Sequence, residues 1–224
     1  MAFQVNQIYS YIVAEDNGYS PNPFWGVLTL PWCKPPLRRA VAKFIANANN
    51  ISDVPSLGIW LVGLSRKQKD GSNHMIFVAQ ITEVLSHHDY FVTYPQKHPK
   101  MDPSLPYIHH VGDNCYYMDN NSSSYATIPS VHSHDPVMQQ RDLSVPSVLI
   151  SNNFCYYGSN SSPLPSDLME LKVGQGFKST FSSETNNLLY DYLQTIQGDC
   201  YPSGRILGSP AVWPAHDTSW QQSI

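Results

Sequence analysis

The sequence predicts an α+β fold: a mixed or antiparallel β sheet with two main helices and long ordered loops. Three observations carry this. Strand-like runs follow one another instead of alternating regularly with helices, which argues against a doubly wound parallel sheet. Eighteen prolines and twelve glycines imply many turns. Apolar residues are 42% of the 224, enough to bury a core.

The elements follow in order. QIYSYIVA (Gln7 to Ala14) is rich in aromatic and β-branched residues and reads as a first strand. A proline-rich loop follows, and Pro35 and Pro36 suit the first turn of a helix. Leu37, Ala40, Val41, Phe44, Ile45 and Ala48 then recur at helical spacing, and Asn49, Asn50 and Pro55 stop the helix. GIWLVGL (from Gly58) and MIFVAQITEVL (from Met75) read as two strands, joined like a hairpin by a polar linker with an Asp-Gly turn signal. His88 to Tyr94 reads as a further short strand, and Pro95 to Pro146 as a long loop. SVLIS (from Ser147) and NFCYY (from Asn153) are strand-like. Ser182 caps a last helix with Glu184 in its first turn, the apolar face Leu188, Leu189, Tyr192, Leu193 and Ile196, and Gly198 at its end. One domain over 1–200 is expected. The tail at 201–224 either docks through Trp213 and Trp220 or frays.

Charged residues are 13% of the chain, about half the roughly 25% of an average globular protein, and the net charge is −4. A protein that coats DNA neutralises many phosphates and is strongly basic. Any contact with nucleotides or DNA is therefore expected in a local pocket. No run of about 20 apolar residues marks a membrane span. The opening MAFQVNQIYSY lacks a basic region followed by an apolar run, so a cytoplasmic protein is expected. Cys33, Cys115, Cys155 and Cys200 lie far apart without a CxxC pair, and are expected as free thiols.

The segment SPNPFWGVLTLPWCKPPLRRA, from Ser20, crowds prolines, tryptophans and cations together. Lys34, Arg38 and Arg39 stand at the start of the first helix, where free N–H groups attract anions. Phe24, Trp25 and Trp32 offer flat faces for a base, a contact worth roughly 1–3 kcal/mol per base. Asn22 can read a base edge. The competing reading makes the aromatics core and the cations solvated helix surface. In VHSHD, His132, His134 and Asp135 suit acid–base work or a metal. A metal needs a further ligand, for which His109 and His110 are candidates; satisfied loop histidines, or histidines hydrogen-bonded to a ligand, are the preferred reading, and neither metal nor cofactor is expected. Asp113 and Asn114 suit a turn or polar recognition. Tyr157, Gly158 and Ser159, in YYGSNSSP, can cradle a phosphate with backbone amides. The spacing of a P-loop is absent, as are GxGxxG, GxSxG and HExxH.

These pieces resemble, in kind and order, the nucleotide modification associated domain 2 family. Pro21-Asn22-Pro23-Phe24, Cys33-Lys34-Pro35 and Arg38 match its opening; GIWLVGL, FVAQITEVL, GDNCYY, HSHD and SVLISNNFCYYGS follow in its order. The likeness covers about Ile8 to Leu193. Where the family has a first Cys this chain has Val27, and where it has Asp before the tryptophan of GIWLVGL this chain has Ile59. The segment from Phe44 to Pro55 is longer, so no role of a paired cysteine or of that aspartate carries over. The strand pair also resembles that of PUA-like (EVE and ASCH) barrels, which implies a small β-barrel with a pocket for a modified base. The implied function is binding of a nucleotide or modified nucleobase, free or in DNA, in a phage or phage-defence setting, without turnover. The base would lie on Phe24, Trp25 or Trp60. Phosphate would sit on Lys34 and Arg38 with Gly158 and Ser159, and Asn22, Asn114, His132 and His134 would read polar edges, near Tyr157. The alternatives are an enzyme using His132, His134 and Asp135, and a structural or partner-binding protein whose aromatic loop is an interface. A homo-oligomer is compatible with each.

Overall fold

A computed structural model describes residues 4–48, 53–119, 121–131, 135–197 and 203–222. In chain order the strands are β1 (Gln7–Val13), β2 (Leu28–Leu30), β3 (Ile59–Ser65), β4 (His74–Gln80), β5 (Glu83–Ser86), β6 (Tyr116–Asp119), β7 (Ser124–Thr127), β8 (Ser147–Ser151), β9 (Asn153–Tyr156), β10 (Ser162–Pro163), β11 (Phe177–Lys178) and β12 (Arg205–Ile206). The α-helices are α1 (Pro35–Ala46), α2 (His87–Thr93), α3 (Pro136–Leu143) and α4 (Ser183–Thr195).

The large sheet runs β11-β1-β3-β4-β9-β12, with β10 paired to β4. Within it β1 and β3 are parallel and in step, Gln7 opposite Ile59 and Val13 opposite Ser65, so both strands end at one edge. β3 and β4 form the antiparallel hairpin that the sequence predicts. β5, β8 and β2 make a smaller antiparallel sheet, and β6 and β7 a separate hairpin. The fold is α+β as expected. The barrel is not: the large sheet ends at β11 and β12, and no closed barrel forms among the described residues.

Alternation along β1 and β3 sends side chains to two cores. Tyr9, Tyr11, Val13 and Leu61 join α1 through Leu37, Val41 and Ile45 on one face. Ile8, Trp60, Val62 and Leu64 join α4 through Leu189 and Leu193 on the other. Both long helices stand where the periodicity puts them. Ser182 Oγ accepts from Thr185 N at 3.2 Å and caps α4 as expected. The stops proposed at Asn49 and Asn50, and the Gly198 end of α4, lie outside the described residues.

Three readings differ. The long loop expected from Pro95 to Pro146 carries the β6–β7 hairpin and helix α3, which Asp135 caps by accepting from Val137 N and Met138 N. The run from Met75 to Leu85 is two strands, because Thr82 N turns to donate to Ile150 O at 2.9 Å and carries the chain into the small sheet. The strand expected from His88 to Tyr94 is helix α2. Ser86 Oγ accepts from Asp89 N at 3.0 Å and donates to Asp89 Oδ2 at 2.6 Å, and this local cap decides against extended backbone.

Residues 203–222 dock on the body. β12 pairs with β9, and Trp213 packs 5.2 Å from Phe24 between ring centroids. Buried Asp16 accepts from Tyr156 Oη and from Ala211 N, tying the segment to the sheet. Cys33 and Cys115 are free, as expected, whereas Cys155 is disulfide-bonded, which corrects the reading of four free thiols; Cys200 lies outside the described residues. Among the described residues no helix is long and apolar enough to cross a membrane.

Candidate functional site

The proline-rich segment opens on a hollow of about 490 Å³ at the edge where β1 ends. One wall is β1 and the turn after it: Tyr11, Val13, Ala14 and Glu15. Asn17, Tyr19 and Ser20 continue the wall, Trp32 to Pro36 face it, and Arg141 and Asp142 close it from the end of α3. The volume falls within the roughly 300–1,000 Å³ of small-molecule sites. Tyr19 and Trp32 pack edge to face, 4.1 Å between ring centroids, and form an aromatic floor. Both are nearly buried, so they present edges and small patches of ring rather than an open stacking clamp.

Three polar groups mark this hollow. Lys34 holds left-handed backbone, φ 54° and ψ 55°, a conformation that costs a non-glycine residue roughly 1–2 kcal/mol. Its ammonium lies 5.8 Å from the Tyr11 ring centroid and has no carboxylate partner among the described residues. The Tyr11 hydroxyl is buried with no hydrogen-bond partner, an arrangement native interiors rarely tolerate. Burial, with Cys33 and Asp16 nearby, raises its pKa well above the ordinary value, so it is a neutral donor. Burial also raises the Cys33 thiol; Ser20 Oγ lies close enough to favour the thiolate but falls outside hydrogen-bond geometry. The thiol is thus protonated at neutral pH and not activated as a nucleophile.

The helix start itself supplies less than expected. Pro35 and Pro36 carry no N–H, and Arg38 N already donates to Lys34 O at 3.1 Å. Only Leu37 N remains of the first turn, so an anion here depends on side chains.

Arg38 is not at the rim. It is fully buried and donates all five N–H bonds to backbone carbonyls: Cys33, Trp32, Asp142, Val145 and Ser147. It clamps α1 to the α3–β8 connection behind the hollow, which removes it from the expected phosphate site. Burial lowers its pKa to about 10, partly offset by Asp142. Beside it, His87 Nε2 lies 3.3 Å from Val145 O, and burial plus the Arg38 charge lower His87 to about 4. Between pH 6.5 and 4 the unfolded chain takes up a proton that the folded His87 refuses. Stability should therefore fall by about 3 kcal/mol as pH drops through that window. Denaturant titrations across pH check this, and His87→Gln should flatten the profile.

Asn22 and Asn114 meet, but inside the protein. Lys97 Nζ, fully buried, lies within hydrogen-bond reach of Asn22 O (3.0 Å), Asn22 Oδ1 (2.9 Å), Val27 O (2.8 Å) and Thr29 Oγ1 (3.0 Å), its three N–H groups shared among the four. Thr29 in turn donates to Asp113 Oδ2 at 2.6 Å, and Tyr90 Oη to Asp113 Oδ1 at 2.7 Å. Asn22 Nδ2 donates to Val111 O, and Asn114 Nδ2 to the carbonyls of Tyr90 and Tyr94. Both amides thus hold the fold, not a base edge. Sequence reading missed Lys97 entirely.

The other expected residues are scattered. Phe24 is wholly buried and offers no face to a ligand. Trp25 is half-buried, its ring centroid 5.9 Å from Lys97 Nζ. Trp60 lies in the core on the opposite face of the sheet, donating to Gln4 O. Tyr157 bonds Tyr192 through their hydroxyls, Ser159 N donates to Ser209 O at 2.7 Å, and a Cβ on Gly158 would meet Ser209 O at 2.2 Å. That amide turn therefore grips the 208–209 segment instead of opening as a phosphate cradle. Asp135 caps α3, accepting from Val137 N and Met138 N. His132 and His134 lie outside the described residues. His110 Nε2 lies 2.8 Å from Asp102 O, and no metal-holding group of His, Cys, Asp and Glu occurs among the described residues.

The sequence signature of the nucleotide modification associated domain 2 family matches residues 5–216, nearly the whole chain. The chain belongs to that family. No curated protein and no solved structure matches it significantly. Membership ties the nucleotide modification associated domain 2 fold described here to a nucleotide-modification-associated role. The match runs through the docked segment as far as residue 216, so Trp213, which packs on Phe24, falls within it.

Proposed function

We propose that the chain binds a nucleotide or a modified nucleobase in the hollow at the end of β1, and releases it unchanged. One observation carries this: a cavity of ligand size that holds both a cation, Lys34, without a carboxylate partner and a buried hydroxyl, Tyr11, without a hydrogen-bond partner among the described residues. Lys34 takes the anionic end; Arg141, at the mouth, is paired with Asp142 at 3.4 Å. The Tyr11 hydroxyl donates to an acceptor on the ring, and the Trp32–Tyr19 floor and the prolines pack its flat face. Strain at Lys34 fits a residue held in place for a ligand. In a phage or phage-defence setting, which the family likeness suggests, such a site serves to sequester a nucleotide signal. The protonated Cys33 thiol favours binding over covalent chemistry.

Lys34→Ala should weaken nucleotide binding about tenfold or more, the loss of one charge-assisted hydrogen bond. Tyr11→Phe separates site from scaffold. It should lower affinity yet leave the free protein as stable or about 1 kcal/mol more stable, because it removes an unsatisfied buried group. Calorimetry on both variants with a panel of nucleoside monophosphates, and thermal melts, read this out. Unchanged affinity in both variants overturns the site. Incubation followed by heat release and chromatography tests the enzyme reading: new products would favour acid–base work by the His132, His134 and Asp135 loop.

A further inference from the structure

The hairpin that joins β3 to β4 and the segment before β11 enclose a second hollow, of about 470 Å³. Its charged lining is Arg66, Lys67 and Lys172, with no acidic residue. None of the three has a carboxylate partner among the described residues. Nearby acids are engaged elsewhere: Asp70 accepts from Ser72 N and Oγ, and Glu170 from Lys178, Ser182 and Thr185. In a chain of net charge −4, three cations with no carboxylate partner among the described residues, around one concavity, form a local field attractive to anions.

Its place in the fold matters as much as its charge. β1 and β3 are parallel and end together, Val13 opposite Ser65. Ile12 lines the cationic hollow, while its neighbours Tyr11 and Val13 line the Lys34 hollow. Adjacent residues of a strand point to opposite faces. The two hollows therefore flank β1 on either side of one edge. A mononucleotide seated at Lys34 keeps its phosphate on its own face, whereas a polynucleotide crossing the edge presents successive phosphates to both.

We infer that the hollow of Arg66, Lys67 and Lys172 holds backbone phosphates of a single-stranded polynucleotide whose terminal or flipped base enters the Lys34 hollow. The inference rests on the nucleotide reading of that first hollow and specifies its substrate class. Three phosphate contacts predict a slope of about −2 in log affinity against log salt for a single strand.

The probes are a fluorescein-labelled single-stranded DNA of about ten nucleotides, within the span of single-strand sites, and the nucleoside monophosphates. The oligonucleotide should bind at least tenfold more tightly than any monophosphate at low salt. The triple variant Arg66→Ala, Lys67→Ala, Lys172→Ala should abolish that gain and flatten the salt slope, while monophosphate affinity and the melting midpoint stay unchanged. Lys67→Glu alone should lower oligonucleotide affinity in the same direction. Monophosphate binding with no oligonucleotide gain, or a gain that survives the triple variant, overturns the inference and leaves the first hollow standing. Oligonucleotide binding lost in the triple variant, with no monophosphate binding, keeps phosphate at the second hollow but overturns the base in the first, and with it the inference as stated.

Discussion

Arg38→Met should destabilise the protein by about 4 kcal/mol or more, against a total stability of roughly 5–15 kcal/mol for a domain. The substitution roughly keeps the volume but leaves the acceptors at Trp32, Cys33, Asp142, Val145 and Ser147 short of a donor. Each buried group so abandoned costs about 1–3 kcal/mol, and partial relaxation keeps the sum below the simple total. Arg38→Lys tests the geometry separately from the charge. An ammonium has three donors and no planar fork, so it should recover less than half of the loss. Denaturant midpoints measure both; a loss below about 1 kcal/mol in Arg38→Met would show that the clamp is idle. Because Asp142 lines the hollow and its carbonyl is one of the acceptors, nucleotide affinity should fall along with stability, unlike the effect of Tyr11→Phe.

Arg38 also shows what a sequence conveys. Its residue type and place beside Lys34 suggest an anion site, and both lie at the start of α1 as periodicity requires. Whether a guanidinium turns to solvent or to carbonyls more than a hundred positions away depends on the α3–β8 connection, which no local pattern encodes. Both long helices and the β3–β4 hairpin were legible because their signals lie within one turn or one strand. α2 was not, since the aromatic and β-branched residues of HDYFVTY suit a strand, and only the cap from Ser86 to Asp89 decides. The long strand from Met75 broke because its second half is claimed by β8, some sixty residues on. Of the residues expected to bind, Lys34 lines the hollow with Trp32. Asn22 and Asn114 carry polar chemistry, but their partners are Lys97, Val111, Tyr90 and Tyr94, distant in sequence and buried with them. Nothing around Lys97 in TYPQKHPK distinguishes it from a solvated loop lysine. Its burial follows from the fold of the segment Asn22 to Thr29.

Lys97→Met should cost about 3–5 kcal/mol, because it leaves the buried Asp113 carboxyl without its nearest cation. Asp113→Asn should cost a comparable amount by stranding the ammonium, and the two losses should not add. The double variant should be markedly more stable than their sum predicts, since each residue is costly chiefly when the other is gone. The pH dependence supplies an independent signature. Burial lowers Lys97 to about 7, with Asp113 pulling it back up. Between pH 7 and its ordinary value near 10.4 the unfolded chain binds a proton that folded Lys97 has released. Stability therefore rises with pH across that window, and the Lys97 share of the rise should vanish in Lys97→Met. Asp113 has the opposite sign: burial raises its folded pKa, so its share of stability is present in acid and lost as pH rises through that value. Without the Lys97 charge that pKa climbs further, so Lys97→Met should lose stability with rising pH over a wider range than the wild type. Urea titrations from pH 5 to about 9.5 resolve both slopes. A flat wild-type profile above pH 7 would mean that Lys97 stays charged in the folded protein, held by its four oxygens, and that its pairing with Asp113 outweighs its burial.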